Sequence, residues 1–119
     1  STTSTIFQIN NGEITRHIFD PSELGLERVG IEELRGGTPS ENAEITRAIF
    51  AGKGGPYRQS VLLNAAAAIA AFKADFHLGL TQQLANGYTL AKQAVDSGAA
   101  AQLVERWANL STELAKSSL

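Results

Sequence analysis

Apolar positions in this 119-residue chain shift from a two-residue to a 3.6-residue period after Phe19. Ile6-Phe7-Gln8-Ile9 and Ile14-Thr15-Arg16-His17-Ile18-Phe19 flank Asn10-Asn11-Gly12-Glu13, and Asn-Gly between two strand-like runs is the strongest short signal for a type I′ hairpin. With Asn11-Gly12 as the loop, antiparallel pairing sets Ile9 opposite Ile14, Phe7 opposite Arg16 and Thr5 opposite Ile18. Ile6, Gln8, Thr15, His17 and Phe19 then turn to the other side. Both faces carry large apolar groups. A two-stranded ribbon is marginal alone, and one that is apolar on both faces calls for a larger sheet with cover above and below. No later segment reads as a strand, so the missing strands are expected outside these residues.

Helical signals follow. Asp20-Pro21-Ser22-Glu23 combines an N-cap, a proline at the first helical position and a capping-box glutamate, with Gly25 as a stop. Ile31-Glu32-Glu33-Leu34 repeats this on a smaller scale before Gly36-Gly37. Thr38-Pro39-Ser40-Glu41 sets the same start signals in register for a longer helix, with Ile45, Ala48 and Ile49 inward and Gly52 closing it. Val61 to Phe72 is the longest apolar run and is apolar on every side, so it reads as a helix from Pro56 enclosed by other elements. It is too short for a membrane span, which needs about twenty residues. Asn64, its one polar residue, is expected to tie the helix to an adjacent loop. After a connector at 73–79, Thr81 is expected to cap a helix with Leu84, Tyr88, Ala91 and Val95 on one face, ending at Ser97-Gly98. Leu103, Trp107, Leu110 and Leu114 mark a last helix packed by one stripe. Ser117, Ser118 and Leu119 are expected to fray. The divisions are therefore a hairpin over 1–20, short turns and one helix over 21–53, the central helix over 56–72, and C-terminal helices over 81–97 and 99–116.

Composition narrows the function. Hydrophobic residues make up 43% of the chain, enough for a real core. A net charge of -2 with ten lysines and arginines gives no basic face for phosphates, so nucleic acid is not an expected partner. No cysteine is present, which removes disulfides, thiolate catalysis and cysteine-ligated zinc. No signal peptide or spanning segment is apparent. The absence of any methionine, with Ser1-Thr2-Thr3-Ser4-Thr5 leading straight into a strand pattern, suggests a cut from a longer polypeptide.

Candidate chemistry is sparse. Gly52-Lys53-Gly54-Gly55 ahead of a helix with Arg58 in its first turn has the amides and dipole for an anion. It lacks the preceding strand and the following Lys-Ser/Thr of a phosphate loop, so a plain helix-to-helix turn is favoured. His17 in a strand and His77 in a connector, with Asp75 nearby, have no further ligands at zinc spacing. Glu23, Glu27, Glu32, Glu33, Glu41 and Glu44 read as helix-start or solvent-face acids. Trp107 reads as core or interface. No catalytic, substrate-binding or metal residue is assigned.

The order Gly36-Gly37-Thr38-Pro39-Ser40-Glu41-Asn42-Ala43, Gly55-Pro56-Tyr57-Arg58 and Val61-Leu62-Leu63-Asn64-Ala65-Ala66-Ala67-Ala68 closely resembles the C-terminal region of the anthranilate phosphoribosyltransferases. Asn11-Gly12-Glu13, Asp20-Pro21, Leu24-Gly25-Leu26 and Ala94-Val95-Asp96-Ser97-Gly98-Ala99-Ala100 agree with it. The resemblance implies an α/β parent fold, a mostly parallel sheet wrapped by helices beside a small helical domain that forms a homodimer interface. This chain would supply the final hairpin and the C-terminal helices.

It also implies a cytoplasmic enzyme of tryptophan biosynthesis that transfers the phosphoribosyl group of phosphoribosyl pyrophosphate to anthranilate with magnesium. The family's catalytic motifs fall upstream of Ser1, its acidic metal pair only just so, which leaves Thr2 or Thr3 room for a supporting role behind those ligands. The chain alone is expected to be inactive, because positioning of diphosphate, metal and acceptor carries the rate. Two alternatives remain open at this point: a stand-alone helical module binding a partner through the Trp107 stripe, and a piece of a related pyrimidine nucleoside phosphorylase.

Overall fold

The computed structural model describes residues 3–117; the role considered for Thr2 and the expected fraying of Ser118 and Leu119 lie outside the described residues. Strands β1 (Ser4–Asn10) and β2 (Glu13–Phe19) form an antiparallel hairpin. Asn11 and Gly12 both take positive φ, 50° and 81°, as a type I′ turn requires. That turn fixes the register, which pairs Ile9 with Ile14, Phe7 with Arg16 and Thr5 with Ile18. Among the described residues the sheet has these two strands.

Two single 3-10 turns, Pro21–Leu24 and Ile31–Leu34, lead into α1 (Pro39–Phe50), α2 (Pro56–Lys73), α3 (Leu80–Asp96) and α4 (Ala99–Ser117). The caps explain the starts. Asp20 accepts from the Ser22 amide while Glu23 accepts from the Asp20 amide, and Glu41 accepts from the Thr38 amide at 2.7 Å. These reciprocal bonds satisfy donors that a helix start leaves free. Helix α1 ends in a Schellman motif: the Lys53 amide donates to the Ala48 carbonyl and the Gly52 amide to Ile49, with Gly52 at φ 97°.

The α2–α3 pair is the axis of the molecule. Leu62, Ala91 and Val95 are buried together, with Phe50, Tyr88 and Ala100 against them. Phe19 of β2 meets Ala70 and Leu84 in a second cluster that Ile6, Leu63 and Leu80 cover in part. Through Phe19 and Ile6 the hairpin lays one face on the helices.

Several expectations are corrected. Helix α2 is not enclosed: its buried residues Arg58, Leu62, Ala66 and Ala70 recur every four positions in one stripe, while Val61 and Phe72 are exposed, Phe72 to 91%. Helix α3 is its principal neighbour, and no described element lies over the opposite side. Asn64 donates to the Ser60 carbonyl of its own helix rather than to a loop. Gly79, not Thr81, caps α3; the Thr81 hydroxyl donates instead to Glu23 at 2.8 Å, joining the first 3-10 turn to α3. Ser117 remains helical, its hydroxyl donating to the Leu114 carbonyl. Leu103, Trp107, Leu110 and Leu114 stay more than half exposed, so among the described residues the α4 stripe is not buried as a packed helix face would be.

Candidate functional site

Backbone closure decides the fate of the glycine loop. The Gly52 and Lys53 amides are already bonded to α1 carbonyls, so two donors that an anion cradle would need are occupied. Arg58 is committed to other partners. It is 9% exposed, and it donates to the Ile49 carbonyl and, at 2.5 Å, to Oδ1 of Asp96 at the end of α3. Lys92, one turn earlier, donates to the other Asp96 oxygen at 2.5 Å. The bonds from Lys92 and then Arg58 hold the Asp96 carboxyl below its ordinary range. Burial raises the neighbouring Tyr88 phenol, against the nearby Arg58 and Lys92 charges. This arrangement pins the start of α2 to the end of α3. The pairing of Arg58 with Asp96 was not legible locally, because the partners are thirty-eight residues apart.

The remaining candidates stand apart from one another. His17 is half-buried on the helix-facing side of β2, and its Nε2 is buried with no hydrogen-bond partner. His77 is exposed in the α2–α3 connector, two residues after Asp75. Among the described residues no group of three or more His, Cys, Asp or Glu side chains converges in a way that could hold a metal ion. The acids serve local structure. Glu23, Glu33 and Glu41 accept from backbone amides at the starts of their turns, and Glu27, Glu32 and Glu44 are exposed. Asp20 accepts from Arg28 and from Ser22, and these bonds, Arg28 foremost, hold its carboxyl far below the usual carboxylate range. Tyr57 donates to the Arg35 carbonyl at 2.5 Å, fastening α2 to the segment after the second turn.

A cleft of about 410 Å³ runs beside β1, between residues 6–9 of that strand, α2 and the start of α3. Its walls are mainly apolar, contributed by Ala67 and Ala71 of α2, Phe76 of the connector and Leu80 of α3. At its polar spot Gln8 donates to Gln83, which itself donates to the Leu78 carbonyl. On the outer face of the hairpin Phe7, Ile9, Ile14 and Ile18 are all more than half exposed.

Residues 1–101 match the family model described as the a/b domain of the glycosyl transferase family. The chain belongs to that family. An anthranilate phosphoribosyltransferase from Rhodococcus jostii (strain RHA1) is 49% identical over 117 residues, which is 98% of this chain and 32% of the relative. That of Thermomicrobium roseum is 46% identical over 119 residues, with the same two shares covered. That of Mycolicibacterium smegmatis is 42% identical over 120 residues, 96% of this chain and 32% of the relative. The chain thus spans about a third of the length of the curated relatives it matches. Membership accounts for the bare surfaces in physical terms: a hairpin, two single turns and four helices of an α/β domain leave exposed the faces on which the domain's other elements would lie.

Proposed function

We propose that this chain is the C-terminal part of the large domain of an anthranilate phosphoribosyltransferase and acts there as scaffold. One observation carries the reading: relatives of that name are 40–49% identical to it across nine-tenths or more of its length. The geometry supports a structural role. Arg58, Asp96, Asp20, Glu23 and Glu41 are engaged in pins and caps, and large apolar side chains stand exposed on the outer face of the hairpin and on α4. In the proposed reaction the parent moves the phosphoribosyl group of phosphoribosyl pyrophosphate onto anthranilate, and this segment helps hold the shape of the domain that binds them.

Magnesium belongs to the proposal through the resemblance alone. The described residues of this chain do not fit it as ligands, since their acids are dispersed over caps and helix faces, and no step is assigned to it here. A homodimer built by the parent's helical domain and a cytoplasmic location are likewise part of the proposal; no helix among the described residues is long and apolar enough to cross a membrane. Neither the stand-alone module nor the nucleoside phosphorylase is favoured, because the relatives described above all carry the transferase name.

The test is an assay of the full-length parent with anthranilate and phosphoribosyl pyrophosphate, with and without magnesium, followed by the same assay on residues 1–119. Turnover by the parent alone is expected. Phosphorolysis of pyrimidine nucleosides by the parent without use of anthranilate would overturn the assignment, and turnover by the segment alone would overturn the scaffold role.

A further inference from the structure

We infer that α4 carries a self-pairing surface: its apolar stripe docks antiparallel on the same stripe of a second copy of the chain, with Arg106 of each copy against Glu113 of the other. The inference goes beyond the scaffold reading and does not depend on which reaction the parent performs.

Helix α4 already meets its own chain with one face. Ala100 packs against the Leu62 cluster, and Ala101, Val104 and Ala108 line the cleft between α4 and the end of α1. Leu103, Trp107 and Leu110 lie on another side of the helix, centred about a third of a turn away, and each is more than half exposed. Leu114 continues their line. The domain's other elements account for the bare hairpin. The match to the domain ends at residue 101, however, short of every residue in this stripe.

Spacing and charge choose the occupant. The four stripe residues recur at intervals of four, three and four, the pattern by which one helix seats its side chains between those of another. Of the charged residues of α4, Arg106 and Glu113 flank the seam, seven positions apart on the same edge, while Glu105 and Lys116 lie off it. The opposite edge carries Val104 and Ser111, which let a second helix come close. Among the described residues neither Arg106 nor Glu113 enters an ion pair. A two-fold axis level with the Ala108–Asn109 peptide sets Trp107 beside Leu110 of the second copy and Leu103 beside Leu114 of the second copy. The same operation brings Arg106 next to Glu113 twice. A parallel pair would leave those charges about 10 Å apart along the seam. The stripe is therefore complementary to itself in both shape and charge, as a closed pair of identical chains requires.

The experiment measures the mass of the full-length parent by sedimentation over a wide range of concentration. The seam is about three helical turns long, and interfaces of that size associate weakly, so the assembly should grow as concentration rises. Arg106→Glu and Glu113→Arg each set like charges together at two places and should each weaken the association by about tenfold or more. The double variant Arg106→Glu/Glu113→Arg should restore it. So should an equal mixture of the two single variants, because one then presents two acids on that edge and the other two arginines. Pairing through any other surface is common to all these proteins, so the differences among them read the α4 seam. Single reversals that leave the assembly unchanged would overturn the inference, placing the parent's own polypeptide or a different protein on the stripe. Loss in both single variants without recovery in the mixture would overturn it as well, since the charges would then not meet across two copies. Mass is read without reference to turnover, so failure of the pairing and failure of the transferase assignment remain separate results.

Discussion

Gly87 of α3 lies directly on the backbone of Ala66 in α2: a Cβ at Gly87 would stand 2.4 Å from the Ala66 carbonyl oxygen and 3.0 Å from its Cα. The two helices touch at their narrowest residues, and Leu62 and Leu84 can be buried on either side because the axes come so close. Close approach brings more atoms within dispersion range.

Gly87→Ala tests that contact, and two effects oppose each other. Alanine within a helix is favoured over glycine by roughly 0.5–1 kcal/mol. Overpacking a close contact costs about 1–3 kcal/mol, and here the obstacle is backbone, which cannot rotate aside. The clash should win, giving a net loss of about 1–2 kcal/mol in urea unfolding of the full polypeptide. Gly54→Ala is the control, because nothing lies within 4 Å of a Cβ there. It should fall within about 0.5 kcal/mol of wild type. Equal effects of the two substitutions would show that α2 and α3 do not meet as described.

The Arg58–Asp96 pin makes a different prediction. Arg58→Ala removes a nearly buried side chain and its bond to Asp96, leaving the Ile49 carbonyl with the Gly52 amide alone, so the melting temperature of the full polypeptide should fall by several degrees. Lys92→Ala removes an exposed partner of the same carboxylate, and exposed pairs contribute little. It should stay close to wild type. If Lys92→Ala cost as much as Arg58→Ala, the carboxylate rather than the buried guanidinium would be organising the helix ends.

How much of this was legible in the residues depends on the range of the interaction. The hairpin register followed from Asn11-Gly12 because a two-residue turn leaves one pairing. The starts at Asp20 and Thr38 followed from capping boxes four residues long. Arg58 drew notice only as a cation beside a glycine loop that was favoured as a plain turn, and its partner stayed hidden because it lies at the far end of another helix, where no local pattern reports it. Gly87 carried a usable signal that was passed over, an isolated glycine inside a helical stripe, which usually has a packing reason. The enclosure expected of α2 failed for a different cause. An apolar circumference records what covers a helix in the intact fold, and these residues supply cover on one side of it only.

Acid should weaken the fold in a defined direction. Asp96, Asp20 and Glu41 are held below their ordinary values of 3.8, 3.8 and 4.5 by hydrogen bonds from Lys92, Arg28 and Thr38 respectively. Each carboxyl releases its proton more readily when folded than when unfolded, so the unfolded chain binds more protons as the pH drops. Their stabilisation is fully present above about pH 5 and is lost as the pH falls through the ordinary carboxylate range toward the lower folded values. Denaturation midpoints of the full polypeptide at pH 7, 5, 4 and 3 should be level at first and then decline. Arg28→Gln should make the decline shallower by returning Asp20 toward its ordinary value. A midpoint that rises on acidification would contradict the sign of all three shifts.

Trp107 provides the last prediction, because it is the sole tryptophan of the chain and stands 70% exposed on α4 between Leu103 and Leu110. A contiguous apolar stripe of this kind marks an interaction surface rather than a solvent face. In residues 1–119 alone at low concentration, its indole should emit at the long wavelength of a water-exposed ring and be readily quenched by acrylamide. Raising the concentration should shift emission to shorter wavelength as bare stripes and hairpin faces associate. In the full-length parent, the difference spectrum between wild type and Trp107→Phe isolates the same ring against any other tryptophans. If the stripe is covered by the parent's own polypeptide, that spectrum is blue-shifted, protected from acrylamide and independent of concentration. A water-like, freely quenched Trp107 in the parent would instead make α4 a surface helix there, and its apolar stripe would then have to be explained by a partner outside the enzyme.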